Sequence, residues 1–321
     1  MPGPLLHNMR MSSVSPPGRT ALDYFLVDVF TSEPLAGNPL AVVFDTVGLA
    51  TEQMQAIAKE FNFSETTFIQ RSSAEIESRE GVRVRIFTTQ EELPFAGHPT
   101  LGTSSVLKLH APETIRDNAI ALALNVGKVP VQFSDQAGRA DAVFGEMTQR
   151  DPDFGATLNP SEVFPLLGLA LADLDDTLTP QIVSTGNAFA IVMLRSIESL
   201  ARLKVDHDVA DPWLRERGGR WFYVIAPMSG QQGGPQRVFR ARMQFYGGED
   251  PATGSAAGCA ISYLVAQGAV RSGERILMRQ GVEVGRPSDL FLSAKTAHSR
   301  VADVRVAGST VPVANGRIFL P

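Results

Sequence analysis

The sequence predicts an α+β chain built as a duplication, with a buried helix in each half and one ligand site between the halves. Three observations carry this. The run Cys259 to Val265 is apolar on every side, which marks a buried helix rather than one lying on a surface. The stretch before it, Glu249-Asp250-Pro251-Ala252-Thr253-Gly254-Ser255, can be laid on Glu92-Leu93-Pro94-Phe95-Ala96-Gly97-His98 at a constant offset of 157 residues, with Glu, Pro and Gly recurring. A second echo pairs Gly37-Asn38-Pro39-Leu40-Ala41-Val42-Val43 with Gly186-Asn187-Ala188-Phe189-Ala190-Ile191-Val192 at an offset of 149, so the second half carries a small insertion. Two ordered echoes mark a repeated architecture with a site between its parts.

Composition narrows the class. At 321 residues there is room for two domains and an ample core. A hydrophobic content of 44% and a charged content of 20% describe an ordinary globular protein. The net charge of −5 leaves no electrostatic footprint for nucleic acid or an anionic membrane. Apolar runs fall well short of a membrane span. One cysteine, Cys259, excludes an internal disulfide and a cysteine cluster for zinc. Its place in the buried helix makes it a structural thiol, and the cytoplasm is the expected compartment. Met1 to Thr20 is rich in Pro, Ser and Gly without the apolar core of a signal peptide. It is expected to be a flexible tail, and Met9 and Met11 allow a later start.

The first strand is expected at Tyr24–Phe30 from its β-branched and aromatic content, and the next at Leu40–Phe44. Thr51 can cap a helix whose Met54, Ile57, Ala58 and Phe61 follow the i, i+3, i+4, i+7 rule. Asn62–Ile69 reads as a strand that puts Glu65 on the face of Phe63, Thr67 and Ile69. On that apolar face its carboxyl would lose water, and its pKa would rise toward neutrality, as proton exchange at physiological pH requires. Phe68 breaks the alternation, so the solvent side of an edge strand is the competing placement.

Val82–Thr88 is a strand leading to the first echo, and Pro99 fits the first position of the following helix. Gly102, Thr103, Ser104 and Ser105 make that helix small-sided, as a helix wrapped by strands needs. Further strands are expected near Ile120–Leu124 and Val129–Phe133, a helix over Pro160–Leu171, and strand structure over Ile182–Leu194. Ser229–Pro235 is a Gly/Gln-rich loop with the composition of a lid, and Val238–Phe245 feeds the second echo. Ser255 is expected at the N-cap of the buried helix and Gly268 just past its end. Short strands follow at Arg275–Leu277, Val282–Val284, Leu290–Leu292, Val301–Val306 and Arg317–Leu320.

Both echoes open a helix. The N-terminus of a buried helix presents free N–H donors and partial positive charge, which makes it an anion site. Small residues there let a ligand approach the backbone. His98 lies at such an N-terminus, where the local potential would hold it neutral and able to donate. No cofactor is expected, because the chain has no glycine fingerprint at Rossmann spacing and no lysine in an imine setting. No metal is expected either: there is no His-Glu-x-x-His, and Asp206-His207-Asp208 matches no ligand spacing and reads as a solvated turn. Ser255 does not stand on a Gly-x-Ser-x-Gly elbow. Acid, imidazole and hydroxyl groups at two facing helix N-termini suit cofactor-free proton transfer on a small anionic molecule.

These motifs carry a resemblance. Asp28-Val29-Phe30 with Gly37-Asn38-Pro39, Phe63-Ser64-Glu65-Thr66-Thr67, Leu93 to Thr100, Glu249 to Ser255, and Gln280 to Glu283 with Gly285-Arg286-Pro287-Ser288 resemble the PhzF family. That family comprises the phenazine-biosynthesis isomerase and its relatives, within the diaminopimelate-epimerase-like superfamily, and the resemblance covers roughly residues 22 to 320. It implies two pseudo-symmetric domains, each a curled, barrel-like mixed β-sheet around a central α-helix. Residues 1–21 would be the tail, 22–130 the first domain and 131–321 the second, with the last strand available to complete the first. A homodimer and a small carboxylated substrate in the cleft are also implied.

By the same carry-over Glu65 is the acid/base that moves a proton across one face of the substrate. His98, Asp250 and Ser255 bind and orient it or assist the transfer, and Gly97 and Gly254 offer backbone N–H groups to its carboxylate. The two facing cysteines of the superfamily's amino-acid epimerases are missing, which disfavours two-cysteine epimerisation. The expected function is a cofactor-independent isomerase acting on trans-2,3-dihydro-3-hydroxyanthranilate or an analogue. The alternatives are an epimerase or isomerase of another small amino or hydroxy acid and, in a different class, a non-catalytic binding or regulatory protein. Presence of Glu65, His98, Asp250 and Ser255 together weighs against the last.

Overall fold

A computed structural model of the chain describes residues 20–320 apart from 136–138, 140, 229–236 and 246–247. The expected tail up to residue 19 and the expected lid loop at 229–235 lie outside the described residues. The first half runs β1 (Ala21–Val29), β2 (Asn38–Val43), α1 (Thr51–Phe61), β3 (Glu65–Gln70), α2 (Ala74–Glu80) and β4 (Val82–Phe87). A two-residue β5 (Glu92–Leu93) leads into α3 (Gly97–His110), then β6 (Ala119–Leu124), β7 (Gly127–Ser134) and β8 (Val143–Thr148). The second half opens with β9 (Asp153–Thr157), α4 (Pro160–Leu166), β10 (Gln181–Ser184), β11 (Ala188–Met193), α5 (Ile197–Ala201) and α6 (His207–Glu216). It continues with β12 (Trp221–Pro227), β13 (Val238–Arg242), the short β14 (Gln244–Phe245) and β15 (Gly248–Glu249), and α7 (Gly254–Ala266). β16 (Ile276–Gln280), β17 (Ser288–Ala297) and β18 (Arg300–Phe319) close the chain.

The duplication is visible as topology. In the first half β1–β2 is antiparallel, β2–β3 parallel, β3–β4 antiparallel, β4–β6 parallel, and β6–β7 and β7–β8 antiparallel. The same series recurs as β10–β11, β11–β12, β12–β13, β13–β16, β16–β17 and β17–β18. Pairing of β8 with β18 makes one continuous sheet, and β18 also pairs with β1, so eight described strands close into a barrel around α3. The second sheet curls around α7, which packs on β10, β11, β17 and β18. Every residue from Gly254 to Val265 in α7 is buried, as is Gly97 to Leu107 in α3, and both helices share one hydrophobic cluster. Helices that are apolar or small on all sides are the ones a curled sheet can enclose. Cys259 is buried there, and burial pushes its thiol up to about 12.

Several local expectations change. Val301–Val306 and Arg317–Leu320 are parts of one strand, β18, whose Pro312 pairs with Val27 at a register shift where a missing N–H is tolerated. Val282–Val284 is a turn between Gly281 and Gly285, both at positive φ, and not a strand. Thr51 is the first helical residue and not the cap, because Gln53 Oε1 accepts from the Ala50 N–H while Thr51 Oγ1 takes a bond from Arg85. Pro99 is the third residue of α3 and still lacks only a donor that no turn would have used. Asp206-His207-Asp208 opens α6, with His207 Nδ1 held 3.1 Å from Asp211, and is not a loose turn.

Candidate active site

The two central helices meet N-terminus to N-terminus at their glycines. A Cβ on Gly97 would lie 2.6 Å from Gly254 C and Cα and from the Ser255 N, and one on Gly254 would lie 3.1 Å from Gly97 Cα. Backbone therefore touches backbone, and glycine is required by the approach rather than by its dihedral freedom. His98 and Ser255 follow as the second residues of α3 and α7. Ser255 is thus inside the first turn, not at the N-cap, which is Thr253. The reason is local: the Thr253 hydroxyl donates to Asp250 Oδ2 at 2.6 Å and does not turn back on the helix. Neither α3 nor α7 has a side-chain cap, so first-turn donors of two buried helices stay available to a ligand.

Each half reaches across to hold the other. Asn38 Nδ2 donates to the Ala252 carbonyl at 2.9 Å, and Asn187 Nδ2 donates to the Phe95 carbonyl at 2.8 Å. Phe95 and Ala252 are equivalent positions of the repeated motif, so the two asparagines form a reciprocal clamp. The motif glutamates are held in the same way in both halves. Glu92 takes a two-point contact from Arg85 at 2.8 and 2.6 Å, and Glu249 takes one from Arg242 at 2.9 and 2.6 Å. These acids brace the loops that carry the site. They are not reaction groups.

The symmetry ends at the reacting side chains. Glu65 opens β3, which lies between β2 and β4, so it is buried and not on an exposed edge. Its Oε2 has no hydrogen-bond partner and faces His98 Nε2, also unpartnered, at 3.6 Å. Burial first, then the charge of Asp250, raises the Glu65 pKa well above the ordinary glutamate value. Burial drives His98 down to about 3, so the imidazole is neutral and its meeting with Glu65 is not an ion pair. Asp250 accepts from Thr253 Oγ1 at 2.6 Å, Asn38 Nδ2 at 2.7 Å and Ser64 Oγ at 3.1 Å. Burial lifts its pKa to about 6, and those three donors pull against the rise. Of the two carboxyls, Asp250 has three donors that stabilise its charge, and Glu65 is the one whose pKa burial and the neighbouring charge raise furthest above the ordinary carboxyl range.

Glu65, Asp250 and Ser255 line one small cavity together with Thr88, Leu93, Ala96, Asn187, Phe189, Trp221, Met243, Phe245 and Thr253. Gln280 supports it from behind. Its Nε2 donates to the Asp250 carbonyl at 2.8 Å and to Thr253 Oγ1 at 2.9 Å, and its Oε1 accepts from the Thr253 N–H and from Tyr223 OH. All six residues expected at the site are thus brought together: Glu65, Gly97, His98, Asp250, Gly254 and Ser255. Sequence reasoning did not assign roles to Asn38, Ser64, Thr253 and Gln280, although each stands inside a quoted motif. It had no signal for Tyr223 or Trp221. Among the described residues no group of three or more His, Cys, Asp or Glu could hold a metal ion, and no helix is long and apolar enough to cross a membrane.

A duplicated sheet-and-helix fold with buried carboxyl, imidazole and hydroxyl groups where its central helices meet is the setting of an isomerase. The chain belongs to the family described as phenazine biosynthesis-like protein (PhzC-PhzF), whose family model matches residues 27–316. It is 36% identical over 307 residues to the trans-2,3-dihydro-3-hydroxyanthranilate isomerase of Pseudomonas aeruginosa, covering 92% of this chain and 99% of that one. Among solved structures it is similar to a Bacillus anthracis phenazine biosynthesis protein of the PhzF family, with a TM-score of 0.79 and 25% identity over 94% of this chain and 100% of that one. A predicted epimerase from Pseudomonas aeruginosa matches with a TM-score of 0.76 and 31% identity, over the same shares of the two chains.

Proposed function

We propose that the protein shifts a proton within a small carboxylated ring substrate, trans-2,3-dihydro-3-hydroxyanthranilate or an analogue, without a cofactor. The observation that carries this reading is the buried Glu65, whose free Oε2 faces a neutral His98 beside an Asp250 held by three donors. The substrate carboxylate is received by the uncapped first turns of α3 and α7, from the N–H groups of Gly97 and Gly254 and the hydroxyl of Ser255. Glu65 takes a proton from one carbon, the electron pair moves along the adjacent double bond, and the same carboxyl returns the proton to a second carbon. A raised pKa suits Glu65 to both steps. Asp250 and His98 orient the substrate's polar groups. The reading carries with it a homodimer, a cytoplasmic location and no nucleic-acid partner.

NMR of the dihydro-hydroxyanthranilate in D2O, with wild type and Glu65→Gln side by side, tests this. Deuterium is expected in an isomerised product with wild type only. Isomerisation by both proteins would clear Glu65 of the role. With no reaction in either, this substrate is wrong, and a panel of other amino and hydroxy acids follows.

A further inference from the structure

The second half places a different group where the first places Glu65. In the parallel β2–β3 pair Glu65 lies opposite Leu40, and in the parallel β11–β12 pair Trp221 lies opposite Phe189. Leu40 and Phe189 each stand two residues after the repeated asparagine. The far edges keep the correspondence, because Phe68 pairs with Arg85 and Val224 with Arg242. The indole of Trp221 is therefore the structural counterpart of the Glu65 carboxyl, and both line the same cavity.

Around Trp221 the cavity is aromatic. The Phe189 ring is 5.8 Å away at a 32° tilt, the Phe245 ring stands edge-on at 6.0 Å, and Met243 adds a soft thioether to the same wall. The Arg220 guanidinium lies 4.1 Å over the indole, fixing its orientation from one face. The same cavity is lined by Glu65, Asp250, Thr253 and Ser255. A space lined by acids and hydroxyls together with aromatic rings suits a molecule that carries polar groups on a flat unsaturated body. An open-chain or saturated acid of equal charge would meet the polar groups and make no ring–ring contact.

We propose that Trp221 is a specificity-determining residue, selecting by ring–ring contact a substrate whose carbon skeleton is a flat unsaturated ring. This deepens the isomerase reading and rests on it for the location of the reacting groups. Calorimetric titration with two unreactive probes, benzoate and cyclohexanecarboxylate, compares a flat ring with a saturated one at equal charge. Wild type is expected to favour the flat probe roughly three- to tenfold. Trp221→Phe keeps the preference, and Trp221→Leu abolishes it by weakening only the flat probe. Should Trp221→Leu fail to fold, the wild-type ratio and Trp221→Phe still decide. Equal binding of both probes by wild type, or an unchanged ratio in Trp221→Leu, overturns the assignment. Deuterium exchange by wild type, run in parallel, separates the two readings. Exchange without the ring preference sinks the role of Trp221 alone, and a ring preference without exchange sinks the isomerase reading alone.

Discussion

Replacing Asn38 and Asn187 one at a time by alanine separates what the repeat shares from what the site adds. Each change removes one bond to a buried carbonyl of the opposite half, at 2.9 Å for Asn38 and 2.8 Å for Asn187. Leaving that carbonyl unsatisfied costs about 1–3 kcal/mol, and the same side-chain volume is lost in both variants. Asn38→Ala also deletes the 2.7 Å bond to Asp250 Oδ1, where the second half has no equivalent because Leu93 occupies the matching position. A hydrogen bond to a charged group is worth about 1.5–3 kcal/mol, but only while the aspartate is ionised. The extra penalty should therefore follow the titration of Asp250.

The sign is set by the direction of the shift. The pKa of Asp250 is raised in the folded protein from an ordinary 3.8 to about 6, so the stability it contributes is present below 3.8 and is lost as pH rises through 6. Removing a donor to the ionised form raises the folded value further, and the loss at high pH grows. At pH 5 the two variants should be destabilised about equally. At pH 8 Asn38→Ala should be worse by about 2 kcal/mol. Equilibrium urea unfolding at both pH values, at one fixed protein concentration, measures this. A gap independent of pH, or the same pH dependence in Asn187→Ala, would refute the link between Asn38 and the charge on Asp250.

Two further outcomes follow from the same geometry. In Asp250→Asn the charge that helps raise Glu65 is gone, so the acidic limb of kcat/KM should move to lower pH, toward the ordinary glutamate range; an unmoved limb would show that Glu65 is not the titrating base. Gly97→Ala puts a methyl 2.6 Å from the backbone of α7, where no flexible side chain can yield. Thermal unfolding should show a loss of roughly 1–3 kcal/mol together with lost turnover, and a fully active, unshifted variant would mean the two N-termini do not meet as described.

Much of the frame was legible because it is written twice. The apolar helix at Cys259–Val265 and the constant offset between Glu92–Gly97 and Glu249–Gly254 located both central helices and their junction. Glu65 could be placed on a strand but not on a face, since β3 is buried on both sides and Phe68 packs against Phe87 while Ile69 joins the main core. The partners of Asn38 could not be read, because Asp250 is 212 residues away and nothing local encodes the contact. β12 was passed over for a related reason: Trp221 to Ala226 is buried throughout and shows no alternation. With it went Tyr223 and Trp221. Ser255 was misplaced by two positions: the N-cap is Thr253, whose hydroxyl is engaged by Asp250 and gives no local capping signal.

The repeated and unrepeated residues divide by task. Asparagine, arginine, glutamate and glycine recur in both halves and hold backbone or one another. Among the positions that differ are Glu65 against Trp221, His98 against Ser255, and Leu93 against Asp250, and of these six residues all but His98 line the cavity, His98 lying directly against Glu65. A fold with internal twofold symmetry could carry matching bases on the two sides of its cleft, and a proton would then leave one face of the substrate and return to the other. Here the counterpart of Glu65 is an indole, which neither takes nor gives a proton. On the proposed reading Glu65 therefore collects and delivers the proton on one face of the substrate. The second half, on that reading, holds the substrate rather than reacting with it.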